Sequence, residues 1–206
     1  MDIPIDLSGL ALPGNEASPA VPSTDASEAL IAEACAGSEA AFRELVLLHQ
    51  DAIHRFCFHW LRDEEDAQEI CQDTFVRAWY ALDRYERRGR FSAWLYRIAL
   101  NLCRDRHKSK GARQRRDTHS LEKVTRPLTC PRPAPDEALA QTSDVAKLHR
   151  GIAALPESLR TVLILSAQEG LSHEACAEIL HCSARAVEGR LYRARRELLA
   201  WWKRTD

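Results

Sequence analysis

Apolar residues recur at helical spacing over most of the chain. Between Ala41 and Leu61, the residues Phe42, Leu45, Val46, Ile53, Phe56, Cys57 and Trp60 fall along one side of a 3.6-residue period. That spacing predicts a long helix with a buried stripe. Asp63 to Tyr80 repeats the pattern with Ile70, Phe75 and Trp79, and it opens on Asp63, Glu64, Glu65 and Asp66. Acids crowded at the start suit a helix N-terminus, where the helix dipole favours negative charge. Leu82 to Arg90 reads as a loop, with Tyr85 and Gly89 set among arginines. A further stripe follows in Phe91, Trp94, Leu95, Ile98 and Leu102. No stretch alternates β-branched and polar residues between turn signals, so strands are not expected.

The periodicity stops between Arg113 and Glu137, where Pro127, Pro131, Pro133 and Pro135 disfavour helix and central strand alike. This stretch is expected to be an extended tether. Helical spacing returns from about Asp136. Pro156 falls in the first turn of a helix whose core face is Leu159, Val162, Leu163 and Leu165. Gly170-Leu171-Ser172 reads as a helix stop followed by an N-cap, and Ser183 as a second N-cap after a short helix. The last helix turns Val187, Leu191, Ala194 and Leu198 inward. A short helix, a tight turn and a longer basic helix make a helix-turn-helix pattern, which many helical hairpins also mimic. The expected fold is all-α: two small helical domains joined by a flexible linker, the C-terminal one a helix-turn-helix. The divisions are a disordered, Pro-, Gly- and Ser-rich tail over 1–27, a helical domain over 28–112, a basic linker over 113–137 and a second domain over 138–206.

Charge changes this picture more than composition does. The net charge of the 206 residues is only −1, so the chain is not a general nucleic-acid coat. Yet every charged side chain before Arg43 is acidic, whereas Arg104 to Arg116 carries seven Lys or Arg against one Asp. Such asymmetry points to one face for nucleic acid and another for a basic protein partner. The seven cysteines form no CxxC pair and mostly occupy apolar helical positions, as reduced core thiols do. No apolar run approaches the roughly 20 residues of a membrane span, and no secretory signal is visible. The expected setting is cytoplasmic, with no stable membrane insertion.

Three polar stripes carry candidate chemistry. Gln68, Glu69, Gln72 and Asp73 lie opposite an apolar face; they fit a solvated helix surface or a docking surface for a basic helix. Arg97, Asn101, Arg104 and Lys108 line one side of the Phe91 helix at spacings of four, three and four. Cations can hold phosphates, and an amide can read a base edge. Aromatic residues beside a basic loop suit unstacked bases. Arg185, Gly189, Arg193 and Arg196 lie opposite the buried side of the last helix, where a small residue permits close approach to a major groove. His54 and Cys57, like His173 and Cys176, are spaced to share a helix face, with His49 one turn further on. No four-ligand cluster emerges, however, and no metal or cofactor is expected. No nucleophile–base set or phosphate loop supports an enzyme. An autonomous helix-turn-helix regulator is the competing reading.

Several segments together resemble bacterial sigma factors of the extracytoplasmic-function (ECF) group, over roughly Glu28 to Trp202. Asp66 to Trp79 (DAQEICQDTFVRAW) is similar to the family's polymerase-binding helix. Phe91 to Ala99 (FSAWLYRIA), with Asn101 and Asp105, resembles its promoter-melting helix. Leu155-Pro156, Gly170-Leu171-Ser172, Ala186-Val187-Glu188 and Arg190 to Arg195 resemble its promoter-reading domain. The resemblance implies that Asp66, Gln68, Glu69, Gln72 and Asp73 face the clamp helices of the largest subunit of core RNA polymerase. It implies that Tyr85, Arg88, Arg97, Asn101, Arg104 and Lys108 meet the downstream promoter element, around a flipped base. It assigns the upstream element to Arg185, Glu188, Gly189, Tyr192, Arg193 and Arg196. It also implies control by an anti-sigma factor or a stress signal, and a linker threaded toward the active-site and RNA-exit region of the polymerase. His181 stands where the family commonly has Gly, Ala175 where it has Glu and Cys176 where it has Ile. Cys71 occupies an aliphatic position.

Overall fold

The computed structural model describes residues 24–85, 90–120 and 138–205, with side chains over 28–85, 90–110 and 144–205. Eight α-helices account for nearly all of this: α1 (Thr24–Cys35), α2 (Glu39–Leu61), α3 (Glu64–Ala81), α4 (Phe91–Ser120), α5 (Ala138–Ala154), α6 (Glu157–Leu163), α7 (His173–Leu180) and α8 (Ala184–Arg204). No strand occurs among the described residues. The all-helical expectation is met. α1 begins within the stretch expected to be a tail. α4 runs on to Ser120, past the expected start of the linker at Arg113. That run contains no proline; the four that break the pattern all follow it. The rest of the expected linker, Cys130 and Arg88 lie outside the described residues.

The helix ends follow from local chemistry. Ser38 caps α2, its hydroxyl accepting the Ala41 N–H at 3.2 Å. Asp63 caps α3, its carboxylate accepting the Asp66 N–H at 3.0 Å. Ser172 and Ser183 cap α7 and α8 in the same way, each at 3.2 Å. Pro156 sits at the N-cap of α6, where its missing N–H costs nothing. α6 passes into a π-helical turn over Ile164–Gln168 before Gly170 (φ +66) ends it.

α2, α3 and α4 pack around Leu45, Ile53, Phe56, Leu95 and Leu100, with α1 against α2. α6, α7 and α8 enclose Val162, Ile164, Leu165 and Val187. The two groups are not separate bodies. α4 packs on α7, α2 packs on the π turn, and the buried side chains form one continuous cluster. α4 buries more than the expected stripe. Tyr96, Leu100 and Cys103 are buried besides the expected Phe91, Leu95 and Leu102, while Trp94 and Ile98 are half-buried.

Candidate polymerase- and nucleic-acid-binding faces

The acidic start of α3 is divided between surface and interior. Gln68, Glu69 and Gln72 are exposed and Asp73 is half-buried. Asp66 is only 7% exposed, and its carboxylate is engaged by α4: Arg106 Nη1 donates to Oδ1 at 2.8 Å, and Lys110 pairs with Oδ2. Arg106 also pairs with Glu69, and Lys110 donates to Asp63 at 2.8 Å. These partners hold the Asp63 and Glu69 carboxyls below the usual range, Lys110 acting on the first and Arg106 on the second. The five proposed docking residues therefore have two situations. Gln68, Glu69, Gln72 and Asp73 can meet a partner, Glu69 while also paired with Arg106, whereas Asp66 ties α3 to α4. Val76 and Tyr80 continue the exposed side of α3 one and two turns beyond Gln72. Sequence spacing showed the acids; the cations that bind them are about 40 residues away and carry no local signal.

Tyr85 packs against Phe91 (5.5 Å between ring centroids, perpendicular) and Trp94 (4.9 Å). Phe91 and Trp94 stack in turn at 5.5 Å. This aromatic group opens α4, and the polar stripe follows it. Asn101 and Lys108 are exposed, while Arg97 and Arg104 are half-buried. The two arginines are turned toward the C-terminal helices: Arg104 Nε donates to Glu157 Oε1 at 2.7 Å, and Arg97 Nη2 donates to the Glu178 carbonyl at 3.4 Å.

In α8 the inward set Val187, Leu191, Ala194 and Leu198 is buried, as its spacing required. Arg185, Glu188, Gly189, Tyr192, Arg193 and Arg196 are all exposed, Tyr192 to 64%. Beyond its own helix backbone and chain neighbours, nothing lies within 4 Å of where a Cβ on Gly189 would stand, so this is an open notch between arginines. Arg193 Nε folds back onto the Gly189 carbonyl at 3.2 Å. α7 and the turn at 181–183 hold this helix outward from the core, which leaves the whole face open to a groove.

The His/Cys pairs do not converge. His54 Nε2 lies 3.2 Å from Glu64, while the Cys57 thiol is buried against Cys103, whose hydrogen bond and the burial together raise its pKa. His173 is exposed and the Cys176 thiol donates to the Leu171 carbonyl. Among the described residues, no group of three or more His, Cys, Asp or Glu is placed to hold a metal ion. None of their helices is long and apolar enough to cross a membrane.

The comparisons agree with this geometry. Residues 45–113 match the model of Sigma-70 region 2, and residues 146–198 match that of Sigma-70, region 4. The chain is 34% identical over 180 residues to the RNA polymerase sigma factor CnrH of Cupriavidus metallidurans, covering 85% of this chain and 94% of that protein. It is 30% identical over 167 residues to the ECF RNA polymerase sigma factor SigW of Bacillus subtilis, covering 79% and 89%. The solved structure of CnrH in complex with the cytosolic domain of CnrY superposes with a TM-score of 0.64 at 32% identity, over 88% of this chain and all of that one. The sigma factor RpoE in complex with the anti-sigma factor NepR, from Bartonella quintana, gives 0.55 at 25% identity, over 79% and 96%. Both conserved regions are present in order, one holding the α3–α4 pair and the other the helix-turn-helix, and the chain belongs to the ECF group of bacterial RNA polymerase sigma factors.

Proposed function

We infer that this chain is a promoter-specificity subunit, which docks on core RNA polymerase, directs it to particular promoters and helps open the DNA; it is not an enzyme. The observation that carries this is the exposed face of α8. Arginines flank a glycine notch on a helix that the helix-turn-helix presents outward, in the same chain as a docking helix, α3. Arg185, Glu188, Gly189, Tyr192, Arg193 and Arg196 read the upstream element. Tyr85, Arg88, Arg97, Asn101, Arg104 and Lys108 hold the downstream element, with the Asn101 amide on an unpaired base edge. Gln68, Glu69, Gln72 and Asp73 meet the polymerase clamp helices, and Asp66, helped by Glu69, keeps α3 in register with α4. A partner of the anti-sigma class fits the relative solved in complex with the anti-sigma factor NepR. The site of action is the cytoplasm, where the polymerase works.

A lone helix-turn-helix buries little surface on DNA, whereas docking two DNA-binding units on polymerase raises the effective concentration of the second contact. Specific binding should therefore be weak for the chain alone, absent for core polymerase alone, and strong for the mixture at one salt concentration, with transcription from defined starts. Tight, selective duplex binding by the chain alone, with no gain on adding polymerase, would instead identify an autonomous regulator.

A further inference from the structure

Four rings meet where α2, the turn after α3 and the start of α4 come together. Tyr85 packs edge-on against Phe91, with its centroid 4.9 Å from that of Trp94, and Phe91 and Trp94 are 5.5 Å apart. The fourth ring is His49 of α2, 5.6 Å from Phe91 and tilted by 51°. In the sequence His49 stands out only by its spacing to His54, and among the described residues no metal-binding group forms.

The rings have an order. Phe91 is only 5% exposed, whereas Tyr85 and Trp94 are half-buried. Phe91 is the inner support, and the other two are the outer rings. Tyr85 and Arg90 bound the stretch 86–89, so the contact of Tyr85 with Phe91 and Trp94 clasps the two ends of that stretch. The first end is fixed further by hydrogen bonds. The Tyr85 N–H donates to the Leu82 carbonyl at 3.1 Å, and the Cys35 thiol of α1 donates to the same oxygen at 3.7 Å. On the α2 side, the ring that meets Phe91 is His49. Burial alone lowers its pKa below the ordinary 6.5, so at pH 7 it is an uncharged ring. Aromatic pairs prefer offset or tilted contacts, an angle that an aliphatic side chain of similar volume does not impose.

We propose that His49 is a positioning residue for the downstream promoter element: its ring seats Phe91, and Phe91 sets the Tyr85–Trp94 clasp beside which the element is held. The proposal rests on the assignment of Tyr85 and α4 to promoter DNA. His49 acts through Phe91 and touches no base. Groups that capture a base must be held within about 0.5 Å by the side chains behind them. Drawing a base out of the stack is costly, so a loosened clasp shows first in opening and not in docking.

The test uses core polymerase loaded with the full chain. His49→Leu fills a similar volume without a ring, and His49→Phe restores one. Affinity for core polymerase is measured with two DNA readings. One is promoter opening, from the fluorescence of 2-aminopurine in the downstream element. The other is selectivity for a labelled single strand carrying that element over one with its bases replaced. His49→Leu should lower opening and selectivity about three- to tenfold, the size of one aromatic contact, with core affinity and helicity unchanged. His49→Phe should keep both within about twofold of the parent. A merely structural role predicts no such rescue by a ring. Parent-like opening and selectivity in His49→Leu, or a His49→Phe chain as defective as His49→Leu, overturns the proposal. His49→Gln takes the place of His49→Leu, with the same outcomes, if the leucine variant loses helicity. Combined with Phe91→Leu, either variant should lose no more than Phe91→Leu alone; additive losses also overturn the proposal. A parent holoenzyme that opens no promoter would count against the sigma-factor assignment itself, whereas a parent that opens one, matched by His49→Leu, removes only the positioning role.

Discussion

His181 ends α7 at φ 48°, ψ 50°, in the left-handed region, and its N–H bonds back to the Ala177 carbonyl. Gly is the residue that suits such a position, and the reason is steric: a Cβ there crowds the backbone. The ring is exposed, so the residue contributes little packing to offset the strain. His181→Gly relieves the strain and adds some unfolded-state entropy. The expected net gain is about 0.5–1 kcal/mol, or about 1–4 °C in Tm. Thermal unfolding followed by circular dichroism measures it, and a lower Tm would mean that the histidine makes an interaction of its own. Asp66 gives a second lesson about single residues. Its carboxylate looks like surface in the sequence but is held between Arg106 and Lys110, so its truncation is expected to loosen α3 from α4 as well as alter any docking surface.

Helix packing sets the next level. α5 lies against the end of α8 at Gly151, where a Cβ would stand 2.7 Å from Leu198 Cδ1 and 2.8 Å from Trp201 Cε3. The absence of a side chain lets the two helices approach. Gly151→Ala gains about 1 kcal/mol in helix propensity but forces an overpacking of about 1–3 kcal/mol. A net loss of about 1 kcal/mol is expected in urea unfolding, with Gly151→Val losing more. A Gly151→Ala chain more stable than the parent would show that Trp201 swings aside freely. On α3 the exposed side is what a partner can meet. Gln72→Ala with Asp73→Ala removes two polar groups from it without touching Ile70, Phe75 or Ala78 in the core. Affinity for core polymerase should fall roughly tenfold, about 1.4 kcal/mol, with helicity unchanged. Equal affinity in the folded double variant would move the docking surface elsewhere.

Across the whole molecule, the contact between the two groups of helices includes a histidine whose neutral form it requires. Arg62 Nη2 donates to His149 Nδ1 at 2.7 Å, so that nitrogen must carry a lone pair. Burial, then Arg62, then His59 push the His149 pKa below its ordinary value of 6.5. Burial alone lowers that of His49, which lies 5.6 Å from the Phe91 ring. With both folded pKa values depressed, the unfolded chain binds more protons near pH 6, so stability rises with pH there. The contribution is present above about 6.5 and is lost as the pH falls through the lowered values. His149→Gln keeps an acceptor for Arg62 but cannot be protonated. The drop in Tm between pH 7.5 and pH 5.5 should therefore be smaller in this variant than in the parent. Equal drops would show that His149 titrates as it does in the unfolded chain.

Helical content, the acidic start of α3, the N-caps at Ser172 and Ser183, and the inward face of α8 were legible in the chain because each rests on residues a few positions apart. The exposed arginines of α8 followed from the same spacing, since a face opposite a buried stripe on an outer helix must face solvent. The helical run of α4 through Ser120 was less legible, because a basic, apolar-poor stretch has no stripe to reveal it. What the sequence could not decide was which polar groups find one another over long separations. Arg106 and Lys110 claim Asp66 across 40 residues and more, and Arg55 and His59 claim Glu169 across more than a hundred. Neither pairing leaves a local trace, because a charged side chain at an amphipathic boundary reads alike whether it meets water, DNA or a distant carboxylate. Periodicity determines which side of each helix turns inward. Only the tertiary structure decided that α4 has two inward sides, one for its own helices and one for α7, because the second depends on where another set of helices comes to rest.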